Sequence, residues 1–357
     1  MPFLQPGVRP LPADLSPLAR FALTITIAFA GGAVFAAFGA PAPWLAGAMV
    51  ATALAGLAGL PVLMLPWVRN AAFVVLGLQI GASFTLHSLA SIGRWPVSLI
   101  ILLVTLVALV AAGQYVLTRF FGWDRTTAFF ACKPGALTMA LAMAEHYGAN
   151  VARVAAAQSL RLFLLVALLP MLAGQMGDGA MPATSSGTAA EPAAMAVILS
   201  LGAAAGYLFH RFGAPAGFLL GAMIANAGLH LGDVVSGGVP DAMVIPAFVC
   251  LGMMVGVRFK DFGLVLLRQV LTAGFASFLV ALTISVIGAL TTTALTGLPL
   301  LATLLAFAPG GLEVMTILAF ALGVNPAFVA THQLVRFVSL NLSMPFASRL
   351  FLTRVDK

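Results

Sequence analysis

The chain has 357 residues, 62% of them hydrophobic and only 8% charged, with a mean hydropathy of +1.10 and a formal net charge of +7. A water-soluble domain of this size needs a far larger charged surface, so the composition excludes one. A bilayer instead solvates apolar side chains and requires only that backbone polar groups be satisfied internally, which a helical bundle does. The basic residues are scattered singly at segment ends, as the positive-inside bias places them, so no nucleic-acid partner is expected.

Apolar segments run at about 20–38, 43–60, 68–86, 96–118, 126–146 and 151–171. The first is long enough to span and leads directly into more of the same, so no cleavable signal is expected. The stretch from Gly174 to Pro192 is rich in Gly, Ser, Thr, Ala and Pro and carries only acidic charge, which is linker chemistry. Six further segments follow at about 193–209, 215–231, 243–257, 265–290, 299–321 and 326–348. The expected organisation is a membrane repeat over 1–171, a polar linker over 172–192 and a second membrane repeat over 193–357.

The two sets resemble one another in sequence. Gly39-Ala40-Pro41-Ala42 recurs as Gly213-Ala214-Pro215-Ala216, and Leu76-Gly77 with Gly81 recurs as Leu251-Gly252 with Gly256. Residues 133–162 align with 308–337, and eleven of the thirty pairs are identical, including Pro134/Pro309, Gly135/Gly310, Asn150/Asn325, Gln158/Gln333 and Arg161/Arg336. Chance matches many alanines and leucines between two apolar stretches, but not Pro-Gly, Asn, Gln and Arg in one register.

Charge sets the expected orientation. Arg258, Lys260, Arg268 and the tail Arg349, Arg354 and Lys357 mark the cytoplasmic side, together with Arg9, Arg20, Arg69, Arg119 and Arg125 of the first half. The linker acids Asp178 and Glu191, and Asp233 and Asp241, mark the opposite side. Loop 61–68, beside Arg69, corresponds to the acidic loop 232–242, so equivalent loops carry opposite bias, which favours inverted repeats. Inversion needs an odd number of crossings per half, so one of each six segments must fail to cross. The candidates are those interrupted at Lys133-Pro134-Gly135 and at Ala308-Pro309-Gly310-Gly311, because proline removes a helix hydrogen bond and clashes with the preceding turn. The expected fold is thus an all-α polytopic membrane protein of two homologous, inverted repeats of five or six segments. Each repeat would hold one Pro-Gly-broken or re-entrant helix.

The same breaks are the candidate binding site. Freed amides and helix ends at Pro134-Gly135 and Pro309-Gly310-Gly311 can face a ligand at mid-depth; the plainer reading is a pair of kinks. Gln158 and Arg161 share one helix face, as do Gln333 and Arg336, and each pair lies inside an apolar helix. A guanidinium there must face a cavity, the bundle interior or a carboxylate such as Glu313; either a site for anions or a structural ion pair fits. His332 and Glu313 are candidates for a proton relay, although a lone helix histidine is more often a satisfied core residue. Glu145 and His146 read as interfacial, and Asn150 and Asn325 as helix caps. Gly77/Gly81 and Gly252/Gly256 have the small-residue spacing that lets helices approach closely, within the chain or in an oligomer. Cys132 and Cys250 read as buried thiols. The five histidines lack ligand spacing, and no catalytic motif appears, so no metal, cofactor or enzymatic activity is expected.

The blocks at 39–49 and 213–223, with Pro309-Gly310-Gly311-Leu312-Glu313-Val314-Met315 and His332-Gln333-Leu334-Val335-Arg336, resemble the bacterial AbrB-like membrane proteins. The resemblance covers nearly the whole chain and implies a duplicated membrane domain in the bacterial inner membrane. Its labels, transcriptional regulator and ammonia monooxygenase, imply no settled activity. The first half departs from the pattern, with Pro134-Gly135-Ala136-Leu137-Thr138, so Glu313 has no counterpart there. The expected function is a secondary transporter or exporter of a small, anionic metabolite, working by alternating access between the repeats, with both termini cytoplasmic. The alternatives are a membrane sensor acting on gene expression through partners and, remotely, a membrane monooxygenase.

Overall fold

The computed structural model describes residues 15–84, 93, 95–134, 137–175, 190–262 and 264–343. Gly135, the 176–189 part of the linker, Arg9 and the tail arginines therefore lie outside the described residues. The described chain folds into fourteen α-helices, with no strand among them. The first seven are α1 (Pro17–Ala37), α2 (Pro43–Leu57), α3 (Pro66–Ala82), α4 (Trp95–Phe121), α5 (Arg125–Cys132), α6 (Leu137–His146) and α7 (Val151–Gln175). The next seven are α8 (Pro192–Arg211), α9 (Gly217–Leu231), α10 (Asp241–Gly256), α11 (Leu264–Thr296), α12 (Leu300–Phe307), α13 (Leu312–Ala321) and α14 (Pro326–Leu342). A short 3-10 turn, Val257–Asp261, follows α10.

Six stretches among the described residues are long and apolar enough to cross a bilayer: Pro17–Ala37, Trp95–Phe121, Val151–Ala173, Pro192–Arg211, Asp241–Asp261 and Val265–Thr296. The protein is an all-helical, multi-pass membrane protein. α1 and α8 carry the least buried of these stretches, and α7 and α10 the most. A helix that is apolar all round and mostly uncovered by protein faces lipid.

The two interrupted segments do not cross. α5 and α6 have eight and ten residues, roughly 12 and 15 Å at 1.5 Å per residue, against a hydrocarbon core of about 30 Å. Instead they form a hairpin that returns to its starting end, where the Asn150 amide donates to Thr127 Oγ1 near the start of α5 (2.8 Å). α12 and α13 have the same lengths. There Gln333, inside α14, bonds the end of α12, and Asn325 caps the start of α14 just after α13. Both asparagines act as the sequence predicts, Asn150 accepting from Arg153 N (3.1 Å) and Asn325 from Ala327 N (3.0 Å).

Chain sense follows from a few contacts. Arg20 Nε donates to Pro61 O and Leu63 N to Thr24 Oγ1, which ties the α2–α3 loop to the start of α1. At the other end, Val239 N donates to Gln79 Oε1 and Ala190 N to Gly238 O, which ties the α9–α10 loop to the end of α3 and the start of α8. The end of α10 returns to the first end, where Lys260 lies against Gly56 of α2. α3 and α10 therefore run in opposite directions. So do α4 and α11, since Thr105 meets Gly288 while the later Leu109 clusters with the earlier Ala281.

The two sequence halves are interlocked. Gly77 and Gly81 of α3 press on Leu219, Ala222, Met223 and Asn226 of α9, and Gly252 and Gly256 of α10 press on Leu45, Ala48, Met49 and Thr52 of α2. These faces are filled inside the monomer, so they are not available to an oligomer; the absence of side chains there serves close internal approach. α1, α2, α3, α8, α9 and α10 thus form one block, and α4–α7 with α11–α14 form another. Each block takes helices from both halves.

A Cβ at Gly252 would collide with the Leu45 carbonyl oxygen, whereas one at Gly228 meets nothing within 4 Å. Gly252→Leu is expected to destabilise the protein by about 1–3 kcal/mol through overpacking, read as a lower Tm in detergent. Gly228→Ala is expected to leave the Tm unchanged.

Candidate functional site

Interrupting a helix exposes carbonyl groups at one end and amides at the other, and neither can turn to water inside a membrane. The two carbonyl ends are met in the same way. Gln158 Nε2 donates to Phe130 O (2.7 Å) and Lys133 O (3.4 Å), and Arg161 NH1 donates to Ala131 O (3.3 Å) and Cys132 O (3.1 Å), all at the end of α5. In the other hairpin, Gln333 Nε2 donates to the carbonyls of Leu305, Ala306 and Ala308 at 3.0–3.3 Å. The Arg336 guanidinium donates to Ala308 O and Gly310 O. The three-residue spacing within each pair places glutamine and arginine on one face, so a single helix caps the broken end beside it.

These caps stand at one cavity of about 480 Å³. Its wall contains Gln158, Arg161, Pro309, Gly310, Gly311, Glu313, Gln333 and Arg336. Pro134 is buried but is not part of that wall; from the first break the wall takes Leu137, the first residue of α6. The first turn of α13 (Leu312, Glu313 and Val314) also faces the cavity, and its leading amides have no carbonyl one turn behind them. Such an end carries partial positive charge and suits an anion.

Four arginines share the space: Arg69 from α3, Arg161 from α7, Arg258 from the turn after α10, and Arg336 from α14. Glu313 is the single carboxylate among the lining residues. Asn70, His210 and the start of α9, with Ala216 held in a left-handed conformation (φ 53°), complete the polar rim. Asn70 Oδ1 accepts from Arg69 Nε (3.2 Å) and NH2 (3.0 Å), which fixes that guanidinium. Phe73, Leu162, Met254 and Phe337 supply apolar surface. Wall and polar groups together have the character of a small-molecule site.

Arg69 and Arg258 stand in the wall of the cavity, at the end of the molecule that also holds Arg20 and Lys260. Two expectations are corrected. Glu313 forms no ion pair with Arg161 or Arg336 among the described residues; those guanidinium groups are engaged by the carbonyl ends. His332 is separated from Glu313: Nε2 meets Ser98 Oγ (2.7 Å), Nδ1 meets Phe328 O (2.8 Å), and the ring packs on Phe328 at 4.0 Å, outside the cavity wall. The relay is not assembled. Glu145 and His146 are exposed, and Cys132 and Cys250 are buried and free. Among the described residues no group of three or more His, Cys, Asp or Glu is placed to hold a metal ion.

Sequence reasoning missed Asn70 and His210 as well as the cavity roles of Arg69 and Arg258. The available signal was an arginine adjoining a neutral amide, Arg69-Asn70, at the start of an apolar helix.

The fold and site together define a class: a multi-pass helical membrane protein with interrupted helices and a cationic cavity between two helical blocks. Within that class the chain belongs to the family described as "Transition state regulatory protein AbrB", whose profile matches residues 44–352. It is 28% identical over 347 residues to "Uncharacterized protein YhjN" of Bacillus subtilis (strain 168), covering 90% of each chain. It is 26% identical over 331 residues to "Putative regulator AbrB" of Escherichia coli (strain K12), covering 90% of this chain and 94% of that one.

Replacing Gln333 by Leu leaves the carbonyls at the end of α12 without that donor. An unmet buried polar group costs about 1–3 kcal/mol, so the variant is expected to lose several degrees of Tm in detergent. Gln333→Glu, which removes the same amide donor, is expected to lose at least as much.

Proposed function

We propose that this protein is a secondary transporter for a small anionic metabolite, located in the bacterial inner membrane with both termini cytoplasmic. The observation that carries the reading is the charge of the cavity, four arginines against one glutamate, in a wall to which both interrupted helices contribute. Guanidinium groups in a poorly hydrated wall repel one another and attract anions more strongly than the same groups at a surface. Paired interrupted helices around a central site are the plan by which many secondary transporters hold substrate. The sequence similarity of the two halves and the opposite directions of α3 and α10 support a pair of inverted repeats.

The interlocking of the halves relocates the movement that alternating access requires. One sequence half cannot rock against the other while α2 grips α10 and α9 grips α3. The movement proposed is of the hairpin block against the glycine-packed block, with the cavity between them. Arg69 and Arg258 belong to one side of that seam, Arg161 and Arg336 to the other.

The name of the Escherichia coli relative, "Putative regulator AbrB", favours a second reading, a membrane sensor whose occupied cavity signals to a partner. Reconstituted vesicles separate the two. Transport predicts counterflow of a labelled organic anion that Arg161→Gln or Arg336→Gln lowers by about tenfold or more, the equivalent of 1.4 kcal/mol. Ligand-induced stabilisation of the purified protein with no counterflow of any stabilising ligand would overturn transport in favour of sensing.

A further inference from the structure

The four guanidinium groups of the cavity fall into two couples, one on each block. Arg161 and Arg336, from α7 and α14, line it from the hairpin block. Arg69 and Arg258, from α3 and the turn after α10, line it from the glycine-packed block. Two like charges against a low-dielectric wall are costly, and an anionic group lying at both relieves the cost. A single anionic head placed at one couple leaves the other unrelieved.

The space is too large for one small inorganic ion. A cavity of about 480 Å³ compares with about 30 Å³ for a water molecule in the liquid. Its apolar patches, Phe73 and Met254 on one block and Leu162 and Phe337 on the other, suit a short carbon chain between two heads.

We propose that the ligand is a short-chain dicarboxylic acid, with one head at Arg161 and Arg336 and the other at Arg69 and Arg258. This deepens the transport reading and rests on it for the use made of binding. A two-headed ligand touches both blocks at once, so its occupancy ties the hairpin block to the glycine-packed block in a way that a one-headed anion does not. That tie is the means by which correct substrate, rather than any anion, would drive closure.

The test uses the full-length protein in detergent, with binding read by calorimetry and by thermal stabilisation. The probes are succinate, the half-amide succinamate and inorganic phosphate. Succinate is expected to bind at least tenfold more tightly than succinamate or phosphate. Arg69→Gln is expected to weaken succinate at least tenfold while changing succinamate little, since a one-headed ligand keeps the other couple. Equal affinity for succinate and succinamate, or phosphate as tight as succinate, overturns the two-headed ligand. Dicarboxylates that bind without counterflow in vesicles refute transport and leave this proposal standing. Counterflow of monoanions alone does the reverse.

Discussion

The structure depends on how a broken helix end is satisfied away from water. At the ends of α5 and α12, carbonyl groups stand without intrahelical donors at a depth where no solvent is available. A neutral amide and a guanidinium, held one turn apart on the adjacent helix, supply those donors in both hairpins. The arginine brings something the glutamine cannot, a positive charge that outlasts its hydrogen bonds. Buried there, it is tolerable only beside a polar space. The same residue that closes the backbone therefore obliges the fold to keep a cavity, and the cavity inherits the charge.

That arrangement joins packing to chemistry. Glycine faces on α3 and α10 draw each half's helices onto the other half and assemble a close-packed block. The hairpins sit in the second block, and the cavity lies along the seam between the two. Polar residues placed at the seam, Arg69 and Arg258 on one side and Arg161 and Arg336 on the other, are held on helices or beside helix ends rather than on long loops, so their separation is set by packing.

Much of this was legible in the residues. Apolar runs gave the helices, and Pro-Gly gave the two interruptions. The matched Gln-x-x-Arg pairs pointed to buried polar work, since an arginine in the middle of an apolar helix demands an explanation on energetic grounds alone. What the residues could not carry was direction in space. Whether Arg336 met a carboxylate, a ligand or a carbonyl depended on which neighbour its helix was turned towards, and it proved to be the end of α12. His332 was misplaced for the same reason. One residue from Gln333 along the chain is about 100° around a helix, enough to move it from the cavity to an aromatic nest with Phe328 and Trp95. The cavity roles of Arg69 and Arg258 went unread because a charge at a helix end looks alike in sequence whether it faces bulk water or a wall inside the protein.

The cross-gripping of α3 by α9 and of α10 by α2 bears on how the chain matures. During synthesis α2 and α3 leave the ribosome long before their partners exist, and their small-residue faces must rest against lipid until the second half is inserted. A truncated product ending at the linker would carry two unfilled grooves and lack the helices that close them. Biogenesis is thus an all-or-nothing event for this chain, with quality control expected to recognise the first half as incomplete however well its individual helices have formed.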